Sequence, residues 1–362
     1  MTVPRQSHAD QVPDHDRGVG ASVPPVLLAG HVSEDWAGDA RFAEYSAAAD
    51  PIAAGTTTRL PIRRFPAALH AGGQTRMVDL DCSEALGIRG PATSPALCAS
   101  FVVILPGSSL TTEPEATSEL YYCLSGQGES RFHRPKGGPT PASDAAGASD
   151  ASDASGASGV IGWAAGDVVV LPAGCTTEHR SLEERAVLYR VCDAPLLRYL
   201  GAVATEARFS PTLYPADRTT AFLDEVARDP EASQRSRVSV LLGNAATPDT
   251  LTVTHTLWAM VGVLPPGQVQ RPHRHQSVAV DLITACPDGC FTLVGEQIDG
   301  SGSIIDPVRV DWEPGGAFVT PPGLWHSHHN ESDVPARLVP IQDAGLHTYL
   351  RSLDIRFSGP AS

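Results

Sequence analysis

Two stretches decide how this chain is read: GQVQRPHRHQSVAV at residues 267–280 and GGAFVTPPGLWHSHHN at residues 315–330. In the first, Gly267 is followed after five residues by His273-Arg274-His275. In the second, Gly315 leads after five residues to Pro321-Pro322-Gly323, then to His326 and Asn330. Alternate residues of a β-strand face the same way, so His273 and His275 share one face. A third histidine, delivered from a turn on a neighbouring strand, closes one face of a metal. Three imidazoles leave other positions open for substrate and dioxygen, as mononuclear iron chemistry requires. A His-x-His pair alone on a surface strand carries little weight. Framed by glycine and proline at fixed spacing on both sides, it points to a metal site.

Outward from this core, short apolar runs alternate with glycine and proline punctuation: FVVILPG (101–107), ELYYCLSG (119–126), GDVVVLPAG (166–174) and AVLYRV (186–191). Runs of this length with frequent turn signals predict an all-β sandwich or barrel. The stretch VCDAPLLRYLG at 191–201 is echoed by IQDAGLHTYLR at 341–351. A repeat of about 150 residues is too long for a solenoid and implies two similar β-domains. Their expected limits are 56–205 and 206–362. Residues 1–55, rich in Ala, Asp, Pro and Gly, read as a flexible arm with a helical turn or two around Glu34–Ala49. Residues 136–159 contain no large apolar side chain and read as a disordered loop inserted between two strands.

Composition agrees. At 362 residues the chain is long enough for about two domains of about 150 residues. With 33 glycines and 31 prolines it favours many turns and short strands. The formal charge is −15, and of 26 basic residues only Lys136 is a lysine. An acidic surface without a basic stripe argues against a nucleic-acid partner. Lysine Schiff-base chemistry is nearly excluded as well. Seven cysteines, never spaced as Cys-x-x-Cys, suit buried thiols in a reducing compartment and not a zinc ribbon. The polar start lacks the apolar segment of a signal peptide, and the longest apolar runs fall far short of a membrane span. A cytoplasmic protein with no membrane partner is expected.

The two histidine motifs resemble the signature motifs of the cupin superfamily, and the duplication makes the chain similar to a bicupin. That resemblance implies two double-stranded β-helix (jelly-roll) barrels. Within the superfamily, LWAMVGVLPPGQVQRPHRHQSVA and TPPGLWHSHHNESD, within residues 250–357, are most similar to gentisate dioxygenase and its salicylate and hydroxynaphthoate relatives. The resemblance implies Fe(II) held by His273, His275 and His326, with dioxygen as co-substrate and a homo-oligomeric assembly. His328 matches a family histidine that lies beside the metal and can move protons. Trp258 matches a family tryptophan near the site, where a plain core aromatic is the other reading.

Several positions depart from the family pattern. Most cupins place a glutamate ligand four or five residues after the second histidine; Ala279 and Val280 stand there, in agreement with a three-histidine site. The gentisate-type enzymes carry an arginine, six residues after that histidine, that grips the substrate carboxylate. Asp281 occupies the place here, and Gly262 replaces a family glutamine. The metal motif also lies in the second domain, whereas gentisate-type enzymes carry it in the first. Strand parity puts Asp281 on the face of His273 and His275, where it would repel a substrate carboxylate. Gentisate itself is therefore not the expected substrate. Arg271, Arg274, Arg309 and Arg337 are further candidates to bind an acidic group.

The first domain keeps the frame and loses the ligands. Glu113 and Glu115 stand where the His-x-His pair belongs, Thr177 replaces the third histidine, and His179 comes two residues late. Shared parity of Glu113, Glu115 and Glu119 would suit a hard cation. The plainer expectation is a degenerate barrel whose carboxylates are solvated or paired with arginine. The function expected of the whole is a mononuclear Fe(II) oxygenase acting on a small hydroxylated, aromatic compound. A redox-neutral metal cupin (isomerase, lyase or hydrolase) and a non-catalytic binding or regulatory bicupin are the alternatives.

Overall fold

The computed structural model describes residues 36, 38–113, 115–133, 158–229 and 238–359. Among the described residues of Met1–Ala49, which form a unit of their own, there is one short helix, Tyr45–Ala49. The arm histidines His8, His15 and His31 lie outside the described residues.

Among the described residues of the unit from Asp50 to Ser362 there are 21 strands. The first eleven are β1 (Arg64–Phe65), β2 (Arg76–Asp79), β3 (Cys98–Ile104), β4 (Ser109–Thr112), β5 (Ser118–Ser125), β6 (Gln127–His133), β7 (Ser158–Ala164), β8 (Val168–Pro172), β9 (Thr176–Ser181), β10 (Ala186–Cys192) and β11 (Thr212–Tyr214). The remainder are β12 (Val238–Leu242), β13 (Trp258–Leu264), β14 (Val269–Arg274), β15 (Ala279–Ala285), β16 (Cys290–Gly295), β17 (Val308–Asp311), β18 (Ala317–Thr320), β19 (Trp325–Asn330), β20 (Ala336–Gln342) and β21 (Arg356–Phe357). They form four antiparallel sheets, two per barrel. One barrel joins the sheet β11-β8-β5-β10-β3-β2 to β4-β9-β6-β7, and the other joins β1-β18-β15-β20-β13-β12 to β17-β16-β19-β14-β21.

The apolar runs form these strands because both of their faces are covered. On β5, Leu120 and Tyr122 enter a large core that the barrels share, while Tyr121 and Cys123 enter the first barrel's interior. On β15, Val280 and Leu282 join the same shared core, and Ile283 turns into the second barrel. Strands buried on both faces read as continuous apolar segments, which is why β3 is buried along its whole length.

The sheets do not break where the repeat suggests a boundary. β1, in the stretch expected to form the first barrel, pairs with β18 of the second. β11, in the stretch expected to form the second, pairs with β8 of the first. Each barrel borrows an edge strand from the other's sequence, so a cut at 205/206 would strip one strand from each. Such edge pairing covers backbone groups that would otherwise invite association. Helix Ala216–Arg228 follows this exchange and packs Leu223 and Val226 against Val238 and Val240 of β12. Of the insertion expected at 136–159, residues 136–157 lie outside the described residues. Ser158 and Gly159 are not loop but the start of β7, paired with His133 and Phe132. Among the described residues no helix is long and apolar enough to cross a membrane.

Candidate metal centre

The two motifs meet because β14 and β19 are antiparallel neighbours, with His273 in register with His326. Gly323 makes the turn that leads from β18 into β19: it adopts φ +76°, a left-handed conformation natural to glycine, and its N–H donates to the His275 carbonyl at 2.7 Å. His273, His275 and His326 are all buried, and one ring nitrogen of each lies within 4.8 Å of the others'.

The orientation of each ring is fixed from behind. Nδ1 of His273 donates to the Arg271 carbonyl at 3.0 Å, that of His275 to the Ser277 carbonyl at 2.8 Å, and that of His326 to the Leu324 carbonyl at 3.1 Å. A carbonyl oxygen can only accept, so each Nδ1 carries the proton and each Nε2 presents a lone pair. Such outer contacts hold metal-ligating imidazoles in place. At His275 a second layer follows: Nδ1 also approaches the Ser277 hydroxyl at 3.0 Å, which donates to the Gln342 amide oxygen at 2.8 Å. The donor set fits a borderline divalent ion such as Fe(II), with neutral nitrogen ligands and no carboxylate among them.

His328 differs in kind. Its Nδ1 lies 2.8 Å from the Thr292 hydroxyl, whose oxygen accepts from the indole of Trp312 at 2.8 Å. With that lone pair engaged, the simplest arrangement has Thr292 giving its proton to Nδ1, which leaves the His328 proton on Nε2. The ring sits 5.7 Å from His326 and 6.0 Å from His273, centroid to centroid. His328 thus stands beside the three-histidine cluster, at the position where the sequence reading expects a proton carrier.

A cavity of about 180 Å³ opens on this cluster. Asp281, Trp258 and His328, the residues expected from sequence, all line it. Asp281 is buried and accepts from the Thr320 hydroxyl at 3.1 Å. The candidate arginines do not reach the cavity: Arg274 stacks over Trp325, and Arg309 over Phe291 with its guanidinium paired to Asp311. Sequence reasoning missed Ser239, Met260, Gln270, Pro340, Gln342 and Phe357 in the lining. Gln342 could have been found from its place in the repeated helix-entry segment. Ser239 and Phe357 lie on strands outside both motifs and had no such signal. Phe357, half-exposed on β21, stacks on His273 at 5.5 Å and 23°.

In the first barrel the same positions are filled. Register places Thr112 and Thr177 where His273 and His326 stand, and Glu119, Tyr121 and Arg190 where Ala279, Asp281 and Pro340 stand. Glu113 and Glu115 do not share strand parity with Glu119, because β4 ends at Thr112 and both are exposed in the loop after it. The hard-cation arrangement is therefore absent among the described residues. Glu119 is buried and paired with Arg190 at 2.5 Å. Burial and the Glu119 charge hold the Tyr121 phenol well above its usual range, so it donates to Glu119 at 2.7 Å.

No family model matches the chain. Gentisate 1,2-dioxygenase 1 of Aquipseudomonas alcaligenes is 28% identical over 145 residues, which is 39% of this chain and 38% of that protein. A 1-hydroxy-2-naphthoate 1,2-dioxygenase of Nocardioides sp. (strain KP7) is 33% identical over 107 residues, 30% of this chain and 24% of that one. The chain thus matches well under half the length of either. In overall structure it is similar to salicylate 1,2-dioxygenase from Pseudaminobacter salicylatoxidans, with a TM-score of 0.60 at 13% identity over 82% of this chain and 88% of that one. By fold this chain is a bicupin, and part of its sequence is similar to the gentisate and hydroxynaphthoate dioxygenases.

Proposed function

We propose that this protein is a mononuclear non-haem Fe(II) dioxygenase acting on a small hydroxylated aromatic compound other than gentisate. The observation that carries the reading is the convergence of three buried imidazoles, each locked through Nδ1, on one wall of a ring-sized cavity. An apolar cavity of about 150 Å³ holds benzene, so about 180 Å³ suits a single substituted ring.

His273, His275 and His326 would hold the iron. Bound there among neutral ligands, the ion supplies electron transfer to dioxygen and an undiminished 2+ charge that favours ionisation of a phenol. The chain's own residues do the rest. His328 holds a proton on the cavity side and is placed to hand it over, with Thr292 and Trp312 fixing its ring. Trp258 and Phe357 offer flat apolar surfaces to the substrate, and Phe357 also shields His273 from water. Asp281 disfavours a carboxylate on the ring and favours an amine or hydroxyl.

A homo-oligomer in the cytoplasm belongs to the same proposal. No disulfide joins the seven cysteines and six of them are buried, which supports a reducing compartment. Reconstitution with Fe(II) without oxygen, followed by a panel of single-ring phenols at an oxygen electrode, tests the function. Stoichiometric oxygen uptake with loss of the phenol is expected. Product formed without oxygen would replace this reading with redox-neutral metal chemistry.

A further inference from the structure

The sheet that carries His273 and His326 has one strand more than its counterpart in the first barrel. The order β4-β9-β6-β7 matches β14-β19-β16-β17 strand for strand, and among the described residues no strand pairs with the outer edge of β4. On β14 that edge is taken by β21, Arg356–Phe357. An open edge would leave backbone groups, and a ligand borne beside them, to water. The added strand falls on the one that bears His273.

Register decides what β21 presents. Directly opposed residues of an antiparallel pair put their side chains on the same face. His326 opposes His273, and His273 opposes Phe357, so the three form one row across the sheet. The Phe357 ring stacks on that of His273 with centroids 5.5 Å apart and planes inclined by 23°. Phe357 lines the metal cavity together with Ile355, yet it is 44% exposed where His273 is 5% exposed. A side chain that lines the cavity and also meets solvent stands at its mouth.

The backbone beneath that ring is tied on both sides. The Asp354 N–H donates to Gln276 Oε1 at 2.8 Å, and the Ser358 N–H donates to the Pro272 carbonyl at 2.8 Å. Ser358 is itself buried, and Gly302 (φ +84°) approaches so closely that a Cβ there would lie 3.1 Å from the Ser358 Cβ. A ligand that outgrows the cavity therefore meets the ring of an anchored strand and not a loose tail. The space behind it, about 180 Å³, is little more than one ring needs.

We propose that Phe357 is a specificity-determining residue whose ring closes the mouth of the cavity and restricts the substrate to a single aromatic ring. This rests on the metal-site reading above and names the residue that sets the size limit: one ring fits, and a second, fused ring collides with Phe357.

The test uses the Fe(II)-loaded full chain without oxygen, so that binding is read apart from turnover. Catechol and 2,3-dihydroxynaphthalene are the probes, since they share one pair of hydroxyls and differ by a fused ring. The native protein should bind catechol about ten-fold more tightly, because overfilling a packed site outweighs the gain from extra apolar area. Phe357→Ala should tighten binding of the naphthalenediol by about ten-fold and change that of catechol by less than about three-fold, with native metal content. Phe357→Leu, smaller than the ring but still covering His273, should move the ratio of affinities in the same direction and decides the matter if the Ala variant loses metal. Equal native affinity for both diols would overturn the size limit and leave the metal-site reading standing. So would variants that keep metal with an unchanged ratio, or metal loss from both, which would make the ring a cover for His273 alone. If catechol shows no metal-dependent binding, both readings fall.

Discussion

His179 and His328 occupy the same position in the two barrels, and each takes a hydroxyl at Nδ1 that a tryptophan already holds. In the first barrel Trp163 donates to Ser130 at 2.9 Å, and Ser130 meets His179 at 2.8 Å. In the second, Trp312 and Thr292 stand in the same relation to His328. The difference lies at Nε2. That of His179 meets Thr112 at 3.2 Å, which passes to Tyr121 at 3.0 Å and so to Glu119 and Arg190. The run from Trp163 to Tyr121 is satisfied if every donor points toward the Glu119 carboxylate, which Arg190 meets from the other side. One barrel spends its histidine on a closed internal network; the other turns the equivalent histidine toward a cavity because Ala279, Asp281 and Pro340 take up less room than Glu119, Tyr121 and Arg190.

The first prediction concerns metal. His273→Ala, His275→Ala and His326→Ala should each lower metal content at least ten-fold, since each removes one of three protein ligands. Ser277→Ala should lower metal affinity less, because the Ser277 carbonyl still holds His275 when the hydroxyl is gone. Elemental analysis of the dialysed variants decides it. Stoichiometric metal in all three histidine variants would disprove the site.

Much of this site was legible before any coordinates because its chemistry sits in contiguous motifs. His273, His275 and His326 announce themselves by spacing, and Asp281 by strand parity. What was hidden depends on pairing between distant strands. Ser239 faces the cavity only because β12 lies beside β13, and Phe357 covers His273 only because β21 returns to β14. The exchange of β1 and β11 was hidden for the same reason: strands of two and three residues carry no period to read. Parity also misled where the strand stopped early, as it does at Thr112 before Glu113.

The first barrel makes a prediction about stability. Glu119→Gln leaves the Arg190 guanidinium buried without its anion and should cost about 3 kcal/mol or more in chemical denaturation. Replacing both, as Glu119→Gln with Arg190→Met, should recover much of the loss. Glu113→Gln and Glu115→Gln, on exposed residues, should change stability by no more than about 0.5 kcal/mol. Metal content should be unchanged in all of them. If the two loop variants lost metal or activity as fully as the histidine variants, the first barrel would have to hold a working site.

The pH dependence follows from His179. Burial, reinforced by the Arg190 charge, lowers its pKa to about 3 from the usual 6.5. Below pH 6.5 the unfolded chain therefore binds a proton that the folded chain refuses. Its contribution to stability is complete above 6.5 and is lost as pH falls from 6.5 toward 3. At pH 5 the loss is about 2 kcal/mol. His179→Gln should shrink the difference in unfolding free energy between pH 8 and pH 5 by about that amount. The other histidines titrate equally in both proteins, so an unchanged difference would mean that His179 is not held neutral.

The last prediction turns on Asp281. It lies on the inward face of β15, buried, with one carboxylate oxygen taken by Thr320, and its neighbours in the sheet at that level are Phe318 and Pro340. Neither neighbour carries a charge, and among the described residues no arginine lines the cavity. A substrate carboxylate about 4 Å away would meet a repulsion of roughly 4 kcal/mol at an effective dielectric near 20, before the attraction of a bound cation is counted. Gentisate should therefore be turned over negligibly by the native protein, while uncharged or amino-bearing phenols are accepted. Asp281→Asn keeps the shape and the bond from Thr320 but removes the charge. It should raise the affinity for 2,5-dihydroxybenzoate relative to hydroquinone by at least ten-fold and leave metal content unchanged. Competition binding against both ligands, with metal measured on the same samples, separates the outcomes. Efficient cleavage of gentisate by the native chain would show that the charge is masked. Loss of metal from Asp281→Asn would make the carboxylate a fourth ligand, since a residue that only shapes the pocket has no reason to release the ion.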